Sequence, residues 1–327
     1  MTFKKKTLII GGTGSLGQHL VEHLLDSGLF QRKITVMSRD EQKHFSMSQR
    51  WPDINYVVHD IRDRDGIYDV VKDQQVVINC AAMKHIYRCE DDVLEAVKTN
   101  VLGLYNVLKA VRRSPRTISF VHISTDKAPE PTTMYGATKM LGEGLVRNFA
   151  SADNSHYYSC CRYGNVLLSK GSVIPKFIDL SKRGLDLVVT HPHVTRFLMH
   201  MDDAVDLIMM AASEEAPSGS VLIPLDLPSC EIYDLAQIVL EKYTITGNKN
   251  KVVVGKLGRG EKLHEVLLNA EEAYAHNVHE IGKTKSGYPI AYVTPGHTQS
   301  EPMEYSSKTD IMTKDELKVF LEEQGVL

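Results

Sequence analysis

Asp126, Lys127, Tyr135 and Lys139 bring a carboxyl group, two amines and a phenol together in the stretch STDKAPEPTTMYGATK, residues 124–139. These are groups that move protons. A tyrosine titrates near pH 10 when free, and a neighbouring cation that stabilises the phenolate makes it a usable base. Tyr135 and Lys139 are four positions apart, so a helix would place them on one face, with Lys139 as the expected cation. Asp126 and Lys127 supply an acid and a base at a second point of a substrate, and Thr125 adds a hydroxyl beside them. Taken alone, Tyr-x-x-x-Lys is an ordinary exposed helix pair. Its position directly after STDK is what gives it chemical meaning.

The elements that position these groups are legible around them. Ile118, Phe120, Val121 and Ile123 form a β-branched and aromatic run that predicts a core strand, with Ser124–Lys127 at its carboxyl end. Ligands of open parallel sheets bind at that edge. Pro129 and Pro131 then interrupt the chain, and a helix is predicted to begin near Tyr135. At the amino end, Thr7–Ile10 predicts a strand and Leu16, Leu20 and Leu24 a helix ending near Gly28, with GGTGSLG between them. Strand, glycine turn and helix in that order predict a dinucleotide site, with Gly11, Thr13, Gly14, Ser15, Leu16 and Gly17 around the pyrophosphate.

Four further strands are predicted. The second, Ile34–Met37, ends in Ser38-Arg39-Asp40, where an NAD site usually carries an acid against the ribose hydroxyls. Ser38 has no charge, while Arg39, with Lys43, suits a 2′-phosphate; NADP is therefore expected, with NAD the alternative, unless Arg39 is only a solvated surface charge. The third, Ile54–Val58, leads to Asp60 and Ile61, candidates to flank an adenine. The fourth, Val76–Ala82, ends in Ala81 and Ala82, small enough to admit a cofactor, and is followed by Lys84. A long helical pattern through Val93, Val97, Val101, Leu104 and Leu108 carries Asn100, which could reach the sheet. Tyr157–Arg162 completes six strands alternating with helices. The fold class is α/β, a doubly wound parallel sheet (Rossmann) with a smaller, interleaved substrate-binding domain.

That smaller domain is expected where the alternation weakens, after Arg162. Residues 1–165 with about 202–230 are assigned to the dinucleotide-binding domain, and 166–201 with about 231–327 to the substrate domain. Helices are expected over 172–182, from Asp202, and over 231–243, and Thr313-x-x-Glu316 is a capping box that opens a last helix. Val221–Pro224 reads as a seventh strand at a sheet edge, because proline cannot donate to a ladder. Gly260–Glu265, GEKLHE, follows a glycine turn and reads as a solvated charged face.

Composition excludes several classes. A net charge of −3 over 327 residues offers no field for nucleic acid, and no apolar run approaches the roughly 20 residues that span a bilayer. The first residues run straight into the glycine loop, so a cytoplasmic location is expected. Five cysteines without C-x-x-C spacing predict buried thiols rather than disulfides or zinc. His191 and His193 flank a proline and read as loop residues, so no metal is expected.

With these motifs in place, the sequence resembles the extended short-chain dehydrogenase/reductase superfamily, and within it the UDP-N-acetylglucosamine 4,6-dehydratases of bacterial surface-glycan pathways. GGTGSLG, SRDE, NCAAMKH, KTNVLG, HISTDKA, YGATK, CRYGNV, GSVIP, TRF and GEKLHE occur in that family's order over nearly the whole chain. Related glucose dehydratases tend to carry Asp-Glu where this chain has Asp126-Lys127. The family often has Arg-Pro before GEKLHE, whereas this chain has Gly258-Arg259, which displaces the arginine by one residue. The resemblance implies NADP, a UDP-sugar substrate and a homo-oligomer. It implies oxidation at C4 by Tyr135 with Lys139, a base at C5 in Lys127, an acid for the C6 hydroxyl in Asp126, and Thr125 orienting the sugar. It further implies Lys84, Asn165, Val166, Thr195, Arg196, Arg259 and Glu261 on the nucleotide-sugar side, with Arg162 structural. A nucleotide-sugar 4-epimerase would share the fold and the Tyr135/Lys139 pair but needs no acid and base at C6. A non-catalytic NADP-binding regulator would need only the glycine loop.

Overall fold

The protein is described by a computed structural model, which covers residues 4–169, 171–245, 247, 249–295 and 304–327. Six strands, β1 (Thr7–Ile10), β2 (Ile34–Ser38), β3 (Asn55–Val58), β4 (Val76–Asn79), β5 (Ser119–Ile123) and β6 (Tyr157–Cys161), alternate with helices. They lie in one sheet in the order β3-β2-β1-β4-β5-β6, all parallel. Strands β1, β2, β4 and β5 are almost wholly buried, as expected of Val- and Ile-rich strands covered on both faces. One apolar cluster, around Leu8, Val77, Leu108 and Phe120, fills one side of the sheet, and another, around Ile9, Leu20, Val121 and Ile208, fills the other.

The strand order turns back at β1, which lies between β2 and β4, so the crevice expected of an open α/β sheet opens beyond the carboxyl ends of β1 and β4. Two glycines make the first turn possible. Gly11 has φ +77°, and a Cβ there would stand 2.8 Å from the Ala81 backbone nitrogen. A Cβ on Gly17 would lie 2.4 Å from the Gly12 Cα, so only glycine lets the helix Ser15–Asp26 approach the loop this closely.

Three sequence expectations change. Val221–Pro224 is not at the edge: it pairs parallel with β6 on one side and antiparallel with Pro289–Pro295 on the other. Pro224 is tolerated because it is the strand's last residue, and the ladder continues through the Leu225 N–H donating to the Pro289 carbonyl. The hairpin His276–Lys283/Pro289–Pro295 then carries the sheet to nine strands, although it comes from the stretch assigned to the smaller domain. The expected long helix is interrupted: Val93–Val97 and Leu104–Arg113 are α-helical, with a π-helical turn, Lys98–Gly103, between them. Such turns concentrate at functional sites.

Outside the sheet, a separate apolar cluster gathers Leu167, Phe177, Val194, Leu235, Val239 and Leu317. It is built on the helices Val173–Lys182, Ile232–Tyr243 and Lys314–Glu323, the last opened by the capping box of Thr313 and Glu316. Between these segments, the helix Met201–Ala212 returns to pack on β5 and β6.

Candidate active site

Strand β5 delivers the reactive groups. Its buried residues hold Ser124–Lys127 at the crevice, and the Ser124 N–H donates to the Cys161 carbonyl while that of Asp126 donates to Tyr163 (2.7 and 3.3 Å). The helix Met134–Ala152 follows, capped by Thr133, whose hydroxyl accepts from the Gly136 N–H at 3.1 Å. Glu90 accepts from the Met134 N–H at 2.7 Å, placing a carboxylate at the positive end of the helix. Gly136 lets this first turn lie against the catalytic loop, since a Cβ there would meet the Lys127 carbonyl oxygen at 2.5 Å.

Within that frame Asp126 and Lys127 form a buried pair. Lys127 Nζ donates to Asp126 Oδ1 at 2.9 Å, and Thr125 Oγ1 donates to the same oxygen at 2.9 Å. The other oxygen, Oδ2, is buried and has no hydrogen-bond partner among the described residues. Burial raises the Asp126 carboxyl above the usual carboxylate range, against the pull of Lys127. Lys127 also lies 3.1 Å from Glu265 Oε1. Burial alone would lower its amine, but Asp126 and Glu265 outweigh that and hold it above the ordinary lysine value.

Among the described residues no hydrogen bond joins Tyr135 to Lys139. Lys139 Nζ donates to the Ile123 carbonyl at 2.6 Å, and burial lowers its pKa to about 8. Burial pushes the Tyr135 phenol up to about 12, and Lys127 is the cation that counters this. Asn100, in the π-helical turn, donates to the Met83 carbonyl (2.9 Å) and to Thr138 Oγ1 (2.9 Å) and accepts from the Met83 N–H (2.7 Å). It ties the β4 loop to the tyrosine helix and is buried behind the cleft rather than in its wall.

These groups line one cleft of about 990 Å³. Gly11, Thr13, Gly14, Ser15, Leu16, Gly17, Ser38, Arg39, Asp60, Ile61, Ala81, Ala82 and Lys84 line its first half, and Thr125, Asp126, Lys127, Tyr135, Lys139, Asn165 and Val166 continue the wall. A dinucleotide fits the first half. Gly14 caps the helix Ser15–Asp26 without a side-chain bond, which leaves the helix end open to an anion, and no Cβ obstructs the loop at Gly11. Arg39 is mostly exposed and only 3.6 Å from Asp60 Oδ2, while Arg62 occupies the rest of that carboxylate.

Arg196, Glu261, Thr195 and Arg259 are not brought to the cleft wall. Arg196 donates to the carbonyls of Thr195 (2.7 Å) and Lys262 (3.2 Å), and its Nη2 is 3.4 Å from Glu261 Oε1. Thr195 Oγ1 is spent on His264 and Ser307, both at 2.8 Å. Glu261 accepts from Thr190 Oγ1 and the Gly258 N–H, and Arg259 is exposed. Arg162 is buried between Glu143 and Glu272, a structural network under β6.

GEKLHE is not a solvated face. Glu265 is 3% exposed, and the loop docks on the catalytic segment through Thr132 Oγ1 donating to the Gly260 carbonyl at 2.6 Å. Glu265 was missed because a run of charges in sequence does not reveal which one turns inward. Tyr163, Thr99, Ser172 and Met201 also line the cleft unforeseen; Tyr163 in CRYGNV, Thr99 in KTNVLG and Ser172 in GSVIP carried a positional signal.

The chain is similar to known proteins. Residues 7–285 match the family described as polysaccharide biosynthesis protein. A UDP-N-acetylglucosamine 4,6-dehydratase (inverting) of Campylobacter jejuni is 34% identical, over 83% of this chain and 79% of that one. A UDP-glucose 4-epimerase of Rickettsia bellii is 36% identical, over 83% and 80%. The crystal structure of Pen from Bacillus thuringiensis superposes over 100% of both chains with a TM-score of 0.88 and 29% identity. The chain thus belongs to the polysaccharide biosynthesis protein family, enzymes that include nucleotide-sugar dehydratases and epimerases built on the extended short-chain dehydrogenase/reductase fold.

Proposed function

We propose that this protein is an NADP-dependent UDP-N-acetylglucosamine 4,6-dehydratase. The observation that carries the reading is the hydrogen-bonded Asp126–Lys127 pair beside Tyr135, with one Asp126 oxygen buried and unpartnered. Removing water across C5 and C6 of a hexose is hard, because the C5 proton is barely acidic and hydroxide leaves poorly. A ketone at C4 acidifies C5. A bound nicotinamide would supply the redox half of the reaction, as hydride acceptor at C4 and donor at C6. Tyr135 removes the C4 hydroxyl proton. Lys127 takes the C5 proton, and Asp126 gives a proton to the departing C6 hydroxyl. When hydride reaches C6 a proton returns to C5, and the one that Tyr135 took from the C4 hydroxyl balances it.

The pair is suited to this exchange of roles. As an ammonium and a carboxylate it holds one transferable proton; moving that proton along the 2.9 Å bond produces the amine and the carboxylic acid that elimination needs. No proton enters or leaves. Arg39 at the end of β2 supports NADP. The resemblance supports a homo-oligomer, and the exposed Leu94, Leu102, Tyr105 and Leu141 on adjoining helices are the surface it would use.

A 4-epimerase is the second reading, favoured by the Rickettsia relative. Incubation with UDP-N-acetylglucosamine and NADP, followed by mass analysis of the product, tests both. Loss of one water is expected; unchanged mass with altered stereochemistry at C4 identifies an epimerase and sinks the dehydratase.

A further inference from the structure

Glu265 reaches the reactive pair from a different part of the chain. Its Oε1 is 3.1 Å from Lys127 Nζ and 3.7 Å from Arg196 Nε, and its Oε2 is buried with no hydrogen-bond partner among the described residues. Its backbone is fixed as well: the Glu265 N–H donates to Ser307 Oγ at 2.9 Å, and the Glu265 carbonyl accepts from the Ser307 N–H at 2.8 Å. So short a contact with a buried ammonium, on a strand end pinned on both sides, is more than the lining of a loop.

We infer that Glu265 is a positioning residue for elimination: its fixed negative charge is the second partner of Lys127, which lets Asp126 keep a proton while Lys127 remains a strong base. The inference rests on the proposed dehydration. With Asp126 as the only carboxylate in reach, the Lys127 ammonium would draw Asp126 into its ionised form, and the acid would be lost. With Glu265 present, Lys127 keeps an anionic partner when Asp126 is neutral, and a lysine that has just taken the C5 proton is stabilised as it forms. The same charge repels ionisation of Asp126. Burial works against the Glu265 charge itself, but Lys127 and Arg196 outweigh it and hold the carboxyl below the ordinary glutamate value.

The groups around Glu265 come from every neighbouring segment. Asp126 and Lys127 face it from the end of β5, with Tyr135 beyond them on the next helix. Arg196 comes from the strand Thr195–Met199, and Lys262, itself 3.9 Å from Glu130, from its own loop. Arg196 opposes Glu265, because it lowers the Lys127 amine that Glu265 raises. The two residues should therefore shift the pair in opposite directions.

The test is the pH profile of water loss from the bound 4-keto sugar, which needs both the Lys127 amine and the Asp126 acid, read by mass spectrometry in single turnover, with C5–H exchange in deuterated solvent and reduced-cofactor absorbance recorded alongside. Glu265→Gln should move both limbs of the bell to lower pH by roughly one unit, the size expected for losing a charge at this distance. Glu265→Asp, which keeps the charge, should leave the limbs in place with lower amplitude. Arg196→Gln should move the alkaline limb upward and stands as an independent arm if the glutamine variant does not fold. A Glu265→Gln bell that falls in height without moving, or an Arg196→Gln limb that moves to lower pH, overturns the inference while the dehydratase reading survives. Wild-type protein that reduces its cofactor but never exchanges C5–H removes the dehydration, and the inference with it.

Discussion

Tyr135, Asp126 and Lys127 act at different stages of the proposed reaction, so their variants should separate. Tyr135→Phe should abolish reduced-cofactor absorbance altogether, because hydride cannot leave C4 while the hydroxyl keeps its proton. Asp126→Asn and Lys127→Ala should retain part of that absorbance in single turnover and form no dehydrated product. C5–H exchange should survive in Asp126→Asn and fall at least about tenfold in Lys127→Ala, within the range for loss of a general base; the reverse pattern would exchange the two roles. Arg39→Ala should weaken NADP binding, measured by calorimetry, well beyond any effect on NAD, and equal losses would defeat the choice of NADP. Lys139 predicts a pH effect on stability. Its folded pKa of about 8 lies below the unfolded lysine value, so the unfolded chain binds more protons across that interval. Wild-type stability relative to Lys139→Met should therefore rise between about pH 8 and 10.5, by up to roughly 1.4 kcal/mol per unit, as followed by urea unfolding. A flat difference would show that burial does not lower the Lys139 pKa.

Among the elements, what could be read from sequence was what depends on neighbours along the chain. Strands β1–β6, the glycine turn, the Thr313 capping box and the tyrosine helix all follow from local pattern, and all are present. The misses have long-range causes. Pro224 reads as the mark of an edge, but a proline at the last position of a strand need not interrupt the ladder, and the outer partner, Pro289–Pro295, lies far along the chain. The π-helical turn is set by Asn100 reaching Met83 and Thr138, contacts made across the fold. The spacing of Tyr135 and Lys139 did not reveal that Lys139 Nζ donates to the Ile123 carbonyl at the end of β5. Glu265 turned inward for the same kind of reason, drawn by a lysine far away in sequence. At this scale Gly136→Ala is informative: its Cβ must displace the Lys127 carbonyl, so about 1–3 kcal/mol of stability should be lost. Elimination should suffer more than cofactor binding, as seen by comparing turnover with NADP affinity; equal losses would mean the helix moves without disturbing the lysine.

For the whole molecule, the proposed self-association has a direct measure. Light scattering on a sizing column should give more than one chain's mass for the wild type, and Leu102→Lys with Leu141→Lys should give one, because both replace exposed apolar side chains on neighbouring helices. A monomeric wild type would end that proposal.

The far side of the sheet has a consequence for synthesis on the ribosome. Val221–Pro224 obtains its outer neighbour only from residues 289–295, which emerge after the helix 232–243 and the loop that carries Glu265. Until then the nascent chain shows an unpaired strand edge of Val, Leu and Ile, the kind of surface on which other chains can add. The last strands of this sheet to appear therefore shield a strand made much earlier, and a stall before residue 289 would leave a nearly finished sheet open to aggregation.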